Sequence, residues 1–60
     1  MTRNELIDKA TDHAAMFHTG EAFYIAEVLK AERTVIYLAD GYSHYVTYRR
    51  DGLIEWGITE

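Results

Sequence analysis

The side chains best able to move protons or hold a metal are three histidines, His13, His18 and His44, and no cysteine accompanies them. On a helix, Asp12, His13 and His18 offer oxygen and nitrogen donors within seven residues. His13 and His18 are five positions apart, however, about 140° around the helix, so they diverge rather than share an ion. His44 falls in a strand-like segment and could serve as a general base. Its neighbour Ser43 projects from the opposite face of that strand and cannot be the nucleophile such a base would activate. No HExxH, GxxxxGK[ST], GxGxxG or paired-cysteine motif occurs. The residue pattern therefore predicts no catalytic residues, no cofactor and no metal, and a chain that is not an enzyme. His44 is expected to be a hydrogen-bonded packing residue.

Two other groups of side chains point outward. Five tyrosines lie between positions 24 and 48, followed by Arg49 and Arg50, a combination that can stack and neutralise single-stranded nucleic acid. With only six Lys and Arg in a chain of net charge −4, a basic footprint is missing, which argues against nucleic acid as a partner. Tyrosine is also an ordinary strand former whose ring packs while its hydroxyl reaches water. Glu5, Asp8 and Asp12 form an acidic row along one helical face. Such a row solvates an outer surface, or meets a partner with a basic one. The helix dipole favours negative charge in the first turns in either case.

These residues must be positioned by a small scaffold. Of 60 residues, 29 are hydrophobic, but seven are Ala and five are Tyr, leaving 17 larger apolar side chains. That supports one core and one domain, residues 1–60, and argues against a deep cofactor cleft. Without cysteine there are no disulfide staples, which fits a reducing, cytoplasmic setting. Apolar runs stop at five residues, far below the ~20 of a membrane span, and the Met-Thr-Arg-Asn-Glu opening lacks the apolar stretch of a secretory signal.

The elements can be placed from spacing. Thr2 and Glu5 have capping-box spacing, and Leu6, Ile7, Ala10, His13, Ala14 and Phe17 share one helical arc, which predicts a helix over about 3–18 closed by Gly20. Residues 21–31 are rich in Ala, Glu, Leu and Lys and carry a stripe of Ala22, Ile25, Ala26 and Leu29. They are predicted as a second short helix, the competing strand being disfavoured because Lys30-Ala31-Glu32-Arg33 lacks a turn residue. Nine of the fifteen residues from Thr34 to Tyr48 are Val, Ile, Thr or Tyr, and two Asp-Gly pairs, at 40–41 and 51–52, punctuate the C-terminal part of the chain. A three-stranded antiparallel meander is expected, at about 34–39, 42–49 and 53–58, giving an α+β fold.

Register can be argued from faces. A three-residue Arg50-Asp51-Gly52 loop opposes Tyr48 with Ile54, Val46 with Trp56 and His44 with Ile58, making one face almost wholly apolar. A similar Ala39-Asp40-Gly41 loop adds Ile36 and Leu38 to that face; a two-residue loop would add Val35 and Tyr37 instead. Under the first register, Phe17, Val46 and Trp56 are core, and Val35, Tyr37, Tyr45, Arg49 and Leu53 form an outer patch of interface-like composition. These five, with Glu5, Asp8 and Asp12, are the expected partner-binding residues. The expected function is that of a small acidic regulator or inhibitor that occupies a surface of another protein, as phage-encoded inhibitors of host defence do, or that self-associates. The alternative is a winged-helix DNA-binding regulator, with 21–31 as the reading helix and Arg49 to Gly52 as the wing.

Overall fold

A computed structural model describes residues 1–59 of the chain. Helix α1 (Arg3–Phe17) is followed by four strands, β1 (Phe23–Leu29), β2 (Thr34–Ala39), β3 (Tyr42–Tyr48) and β4 (Ile54–Thr59). The strands form one antiparallel sheet in the order β1-β2-β3-β4. The fold is α+β, with one helix on one face of a four-stranded meander.

The capping box starts α1 as its spacing requires. The Glu5 N–H donates to Thr2 Oγ1 and the Thr2 N–H donates to Glu5 Oε1, each at 3.2 Å. Leu6, Ala10, His13 and Ala14 are the buried face. His18 caps the C-terminus with its N–H on the Ala14 carbonyl, and Gly20 then turns the chain at φ 82.

Residues 21–31 correct the expectation of a second helix, since they supply strand β1. Helix-favouring composition is overridden by tertiary pairing, because Phe23, Ile25 and Val28 pack onto the core from the sheet. A bulge at Ala26 resets the alternation, so these three share a face although their spacing is not strictly two. The missing turn residue is replaced by Arg33, which takes the left-handed φ of 54 that Gly or Asn usually supplies. Its carbonyl accepts the Tyr48 N–H at 2.9 Å, which holds the turn against β3.

The two Asp-Gly turns differ. At the second, the Arg49 N–H donates to the Leu53 carbonyl around a three-residue loop with Gly52 at φ 87, and the pairs Tyr48–Ile54, Val46–Trp56 and His44–Ile58 form as expected. At the first, Ala39 pairs directly with Tyr42, leaving Asp40 (φ 60) and Gly41 (φ 79) as a two-residue type I′ turn. One residue fewer in the loop exchanges the faces of β2. Val35, Tyr37 and Ala39 lie under the helix, with Val46 and Tyr48 of β3, and Ile36 and Leu38 take the outer face.

The helix leaves part of the sheet uncovered. Four strands place the outer strand axes about 14 Å apart, whereas a helix with its side chains is about 10–12 Å across. Seated over β1 and β2, α1 meets β4 at its margin, where His13 and Phe17 lie beside Trp56. Val46 is core, but Phe17 and Trp56 are not. Each is 53% exposed, a second correction to the expected packing.

Candidate functional site

Two features lie side by side on the helix-bearing face. The first is an apolar strip. Ile54, Trp56 and Ile58 point to the same side as the core residues of β3, yet all are exposed, as are Met16 and Phe17 at the end of α1. Phe17 lies 5.6 Å from Trp56 between ring centroids, and His13 meets Trp56 edge-on at 5.5 Å. Between helix and strand runs a groove of about 380 Å³ floored by His13 and Tyr48, with Trp56 and Ile54 on one wall and Met16 and Lys9 on the other. Contiguous apolar surface on a chain this small marks an interaction site more often than it occurs by chance.

β4 is also an edge strand, with one side of its backbone unpaired. Edges are ordinarily blunted by Lys, Pro or a bulge. β4 has none of these, and its one charged side chain in Ile54–Thr59, Glu55, is held by Arg49 at 2.9 Å. Gly57 sits opposite Tyr45, whose ring lies across it. A Cβ there would come within 3.1 Å of the ring, so the glycine admits the tyrosine.

The second feature is polar. His18 Nδ1 is 2.7 Å from Asp40 Oδ2, and its Nε2 is 3.1 Å from the Tyr37 hydroxyl. His44 Nε2 donates to the Ala39 carbonyl at 3.0 Å, and its ring stacks on Tyr37 at 5.2 Å. The imidazoles of His18 and His44 lie 4.6 Å apart. Helix end, β2–β3 turn and β3 meet here, and the cavity beside the cluster is walled on its far side by Trp56 and Ile58. Tyr37 is 2% exposed, and burial pushes its hydroxyl pKa up, so it is a structural partner for His18 rather than a nucleophile. His13 is the exception among the histidines. It is 9% exposed, and neither ring nitrogen has a hydrogen-bond partner among the described residues. Burial, and then the charge of His18, lower its pKa.

The expected partner-binding residues do not form one surface. Val35 and Tyr37 are buried beneath α1, which removes them from any outer patch. Tyr45 is half-buried on the outer face, where Ile36 and Leu38 replace them. Leu53 is exposed in the last loop, and Arg49 is exposed but engaged by both Asp51 (2.8 Å) and Glu55. Glu5, Asp8 and Asp12 lie exposed along α1, and Glu5 is committed to the capping box, whose bonds lower its pKa. Trp56, Ile54 and Ile58 were absent from the expected surface because alternation assigned them to a core; only helix width reveals them as uncovered. Comparison with known protein families, characterised proteins and solved structures finds no match to this chain.

Proposed function

We propose that this chain is a protein-binding module, a small acidic regulator or inhibitor that works by occupying a surface of another protein. The observation that carries this reading is the exposed strip of Ile54, Trp56 and Ile58 on an edge strand without the usual guards. A partner segment paired along β4 would extend the sheet, its backbone satisfying the free N–H and C=O groups and its side chains closing over Trp56. A standard interface buries about 800 Å² per partner, roughly a fifth of the 4206 Å² this chain exposes, so a partner would have to cover the strip together with its rim. The acidic row of α1 stands at the margin and would set association rate more than affinity, losing influence as salt rises. The lack of cysteine supports a reducing, cytoplasmic setting.

Nucleic-acid binding is the weaker reading. The winged-helix arrangement needs a reading helix where β1 stands, and Arg49 is already held by two carboxylates. The test is affinity capture from the native source with wild type, Trp56→Ser and Tyr45→Ala. A protein retained by wild type and by Tyr45→Ala but lost with Trp56→Ser supports the strip. Loss with Tyr45→Ala alone moves the interface to the outer face. Light scattering on the same three proteins identifies the case in which the partner is a second copy.

A further inference from the structure

We propose that His18, Asp40 and His44 form a three-ligand site for a divalent transition-metal ion, with Zn²⁺ as the probe. The site is independent of the strip and of the protein-binding reading. Its donors come from three places that only the fold unites: the C-cap of α1, the β2–β3 turn and the interior of β3. One donor atom from each lies within 4.8 Å of the other two. A triangle that small always contains a point within about 2.8 Å of every corner. Drawing each donor in by roughly 0.7 Å reaches the ~2.0–2.2 Å of Zn–N and Zn–O bonds.

The surrounding bonds suit ligation. Metal-bound histidines characteristically donate their second ring N–H to a carbonyl, carboxylate or hydroxyl oxygen, which fixes the tautomer and orients the ring. His44 makes such a bond through Nε2 to the Ala39 carbonyl; ligation through Nδ1 keeps it, whereas ligation through Nε2 requires the carbonyl to give it up. The stack on Tyr37 holds the ring plane. His18 has Asp40 at Nδ1 and the Tyr37 hydroxyl at Nε2. In the loaded site its ring proton resides on Nε2 and is donated to the Tyr37 oxygen, and Nδ1 and the Asp40 carboxylate turn from each other to the ion. The proton that joins them in the free protein is thus replaced by the metal.

Burial and access are both provided for. The side chain of His18 is 9% exposed and His44 is 8% exposed, so neither is free to swing away, while the Asp40 side chain, 35% exposed, leaves a route from solvent. Asp40 is held in the left-handed conformation by the type I′ turn, which Asp and Asn tolerate better than most residues. Two imidazoles and one carboxylate leave at least one coordination position for water, and nitrogen and oxygen donors without thiolate select first-row divalent ions over soft ones.

The chain carries its own control. His13 is as buried as His44 and belongs to no such donor set among the described residues. Titration of the metal-free protein with Zn²⁺, followed by calorimetry and by the imidazole signals in NMR, should give one ion per chain with a Kd below about 10 μM. His18 and His44 signals should move, and His13 should be the least affected. Tm should rise by at least about 5 °C at a hundredfold excess over Kd. Asp40→Asn preserves the turn and removes the anionic oxygen, and should weaken Zn²⁺ at least about tenfold. His44→Asn should do the same; if it fails to fold, Asp40→Asn with the NMR assignment decides alone. A Kd weaker than about 10 μM, unchanged affinity in Asp40→Asn, or a response dominated by His13 would overturn the proposal.

Discussion

Strands β1 and β4 are both outer strands of the same sheet, and they are finished in opposite ways. β1 lies beneath the helix, is broken by a bulge at Ala26 and shows Glu27 to solvent. Its apolar residues Phe23, Ile25 and Val28 are tucked against the core. β4 is regular, lies beyond the helix and leaves Ile54, Trp56 and Ile58 exposed. The contrast separates two uses of apolar side chains with the same alternation. On β1 they hold the fold together, and on β4 they remain available. Periodicity alone cannot distinguish these uses, because it reports a face and not what covers it.

The sharpest way to break the comparison is to truncate one residue from each side. Leu6 is fully buried where α1 meets the sheet, and Leu6→Ala should lower unfolding free energy by about 2–5 kcal/mol, a large share of the stability of so small a domain. Trp56→Ser, at a half-exposed site, should lower it by about 2 kcal/mol, below the ~3–5 of a buried tryptophan. Urea titrations of both variants measure the difference; equal losses would mean that β4 is as much core as β1. The fluorescence of this single tryptophan reads the same point, with solvent-exposed emission in the free chain and a blue shift when a partner covers it.

A smaller effect tests how the β1 edge is tied in. Arg33→Gly relieves a left-handed backbone that disfavours a side chain by about 1–2 kcal/mol, partly offset by the greater freedom of glycine in the unfolded chain. A net gain of up to about 1 kcal/mol is expected, read as a higher denaturation midpoint. A loss would show that the Arg33 side chain contributes more to the turn than its backbone detracts.

The smallest effect is a slope, and it concerns the boundary between the two regions, where His13 lies beside Trp56. Its folded pKa is lowered, chiefly by burial, so the unfolded chain binds the proton more readily. Stability from this group is therefore complete above the unfolded value near 6.5 and declines as pH falls through it. His13→Leu should flatten that part of the stability curve and leave two unpartnered ring nitrogens out of the interior. An unchanged slope would show that His13 does not carry the acid sensitivity.

Much of this was legible in the residues. The capping box, the Leu6, Ala10, His13 and Ala14 part of the buried arc of α1 and the β3–β4 register all follow from local patterns that admit one good solution. The β2 register does not, because Thr34–Ala39 is apolar on both faces, and either Val35 with Tyr37 or Ile36 with Leu38 makes an acceptable core. β1 was concealed by composition and by a turn that uses Arg33 where a glycine is expected. The His18, Asp40 and His44 cluster had no local signal, since its members stand 22 and 4 positions apart on three elements. Seen along the helix alone, His18 pointed away from His13; its real neighbours are supplied by β2, the β2–β3 turn and β3.

The order of the strands has a consequence for how the chain assembles. Each strand pairs only with its sequence neighbours, through loops of a few residues, so each pairing closes a short stretch of chain at small entropic expense. Such a topology places the chain among faster-folding sheet proteins, ahead of sandwiches whose pairings join distant segments. It also means that the last strand can leave without disturbing the order of the rest. Hydrogen exchange should find β4 opening first, exposing the edge of β3 while α1, β1 and β2 remain closed.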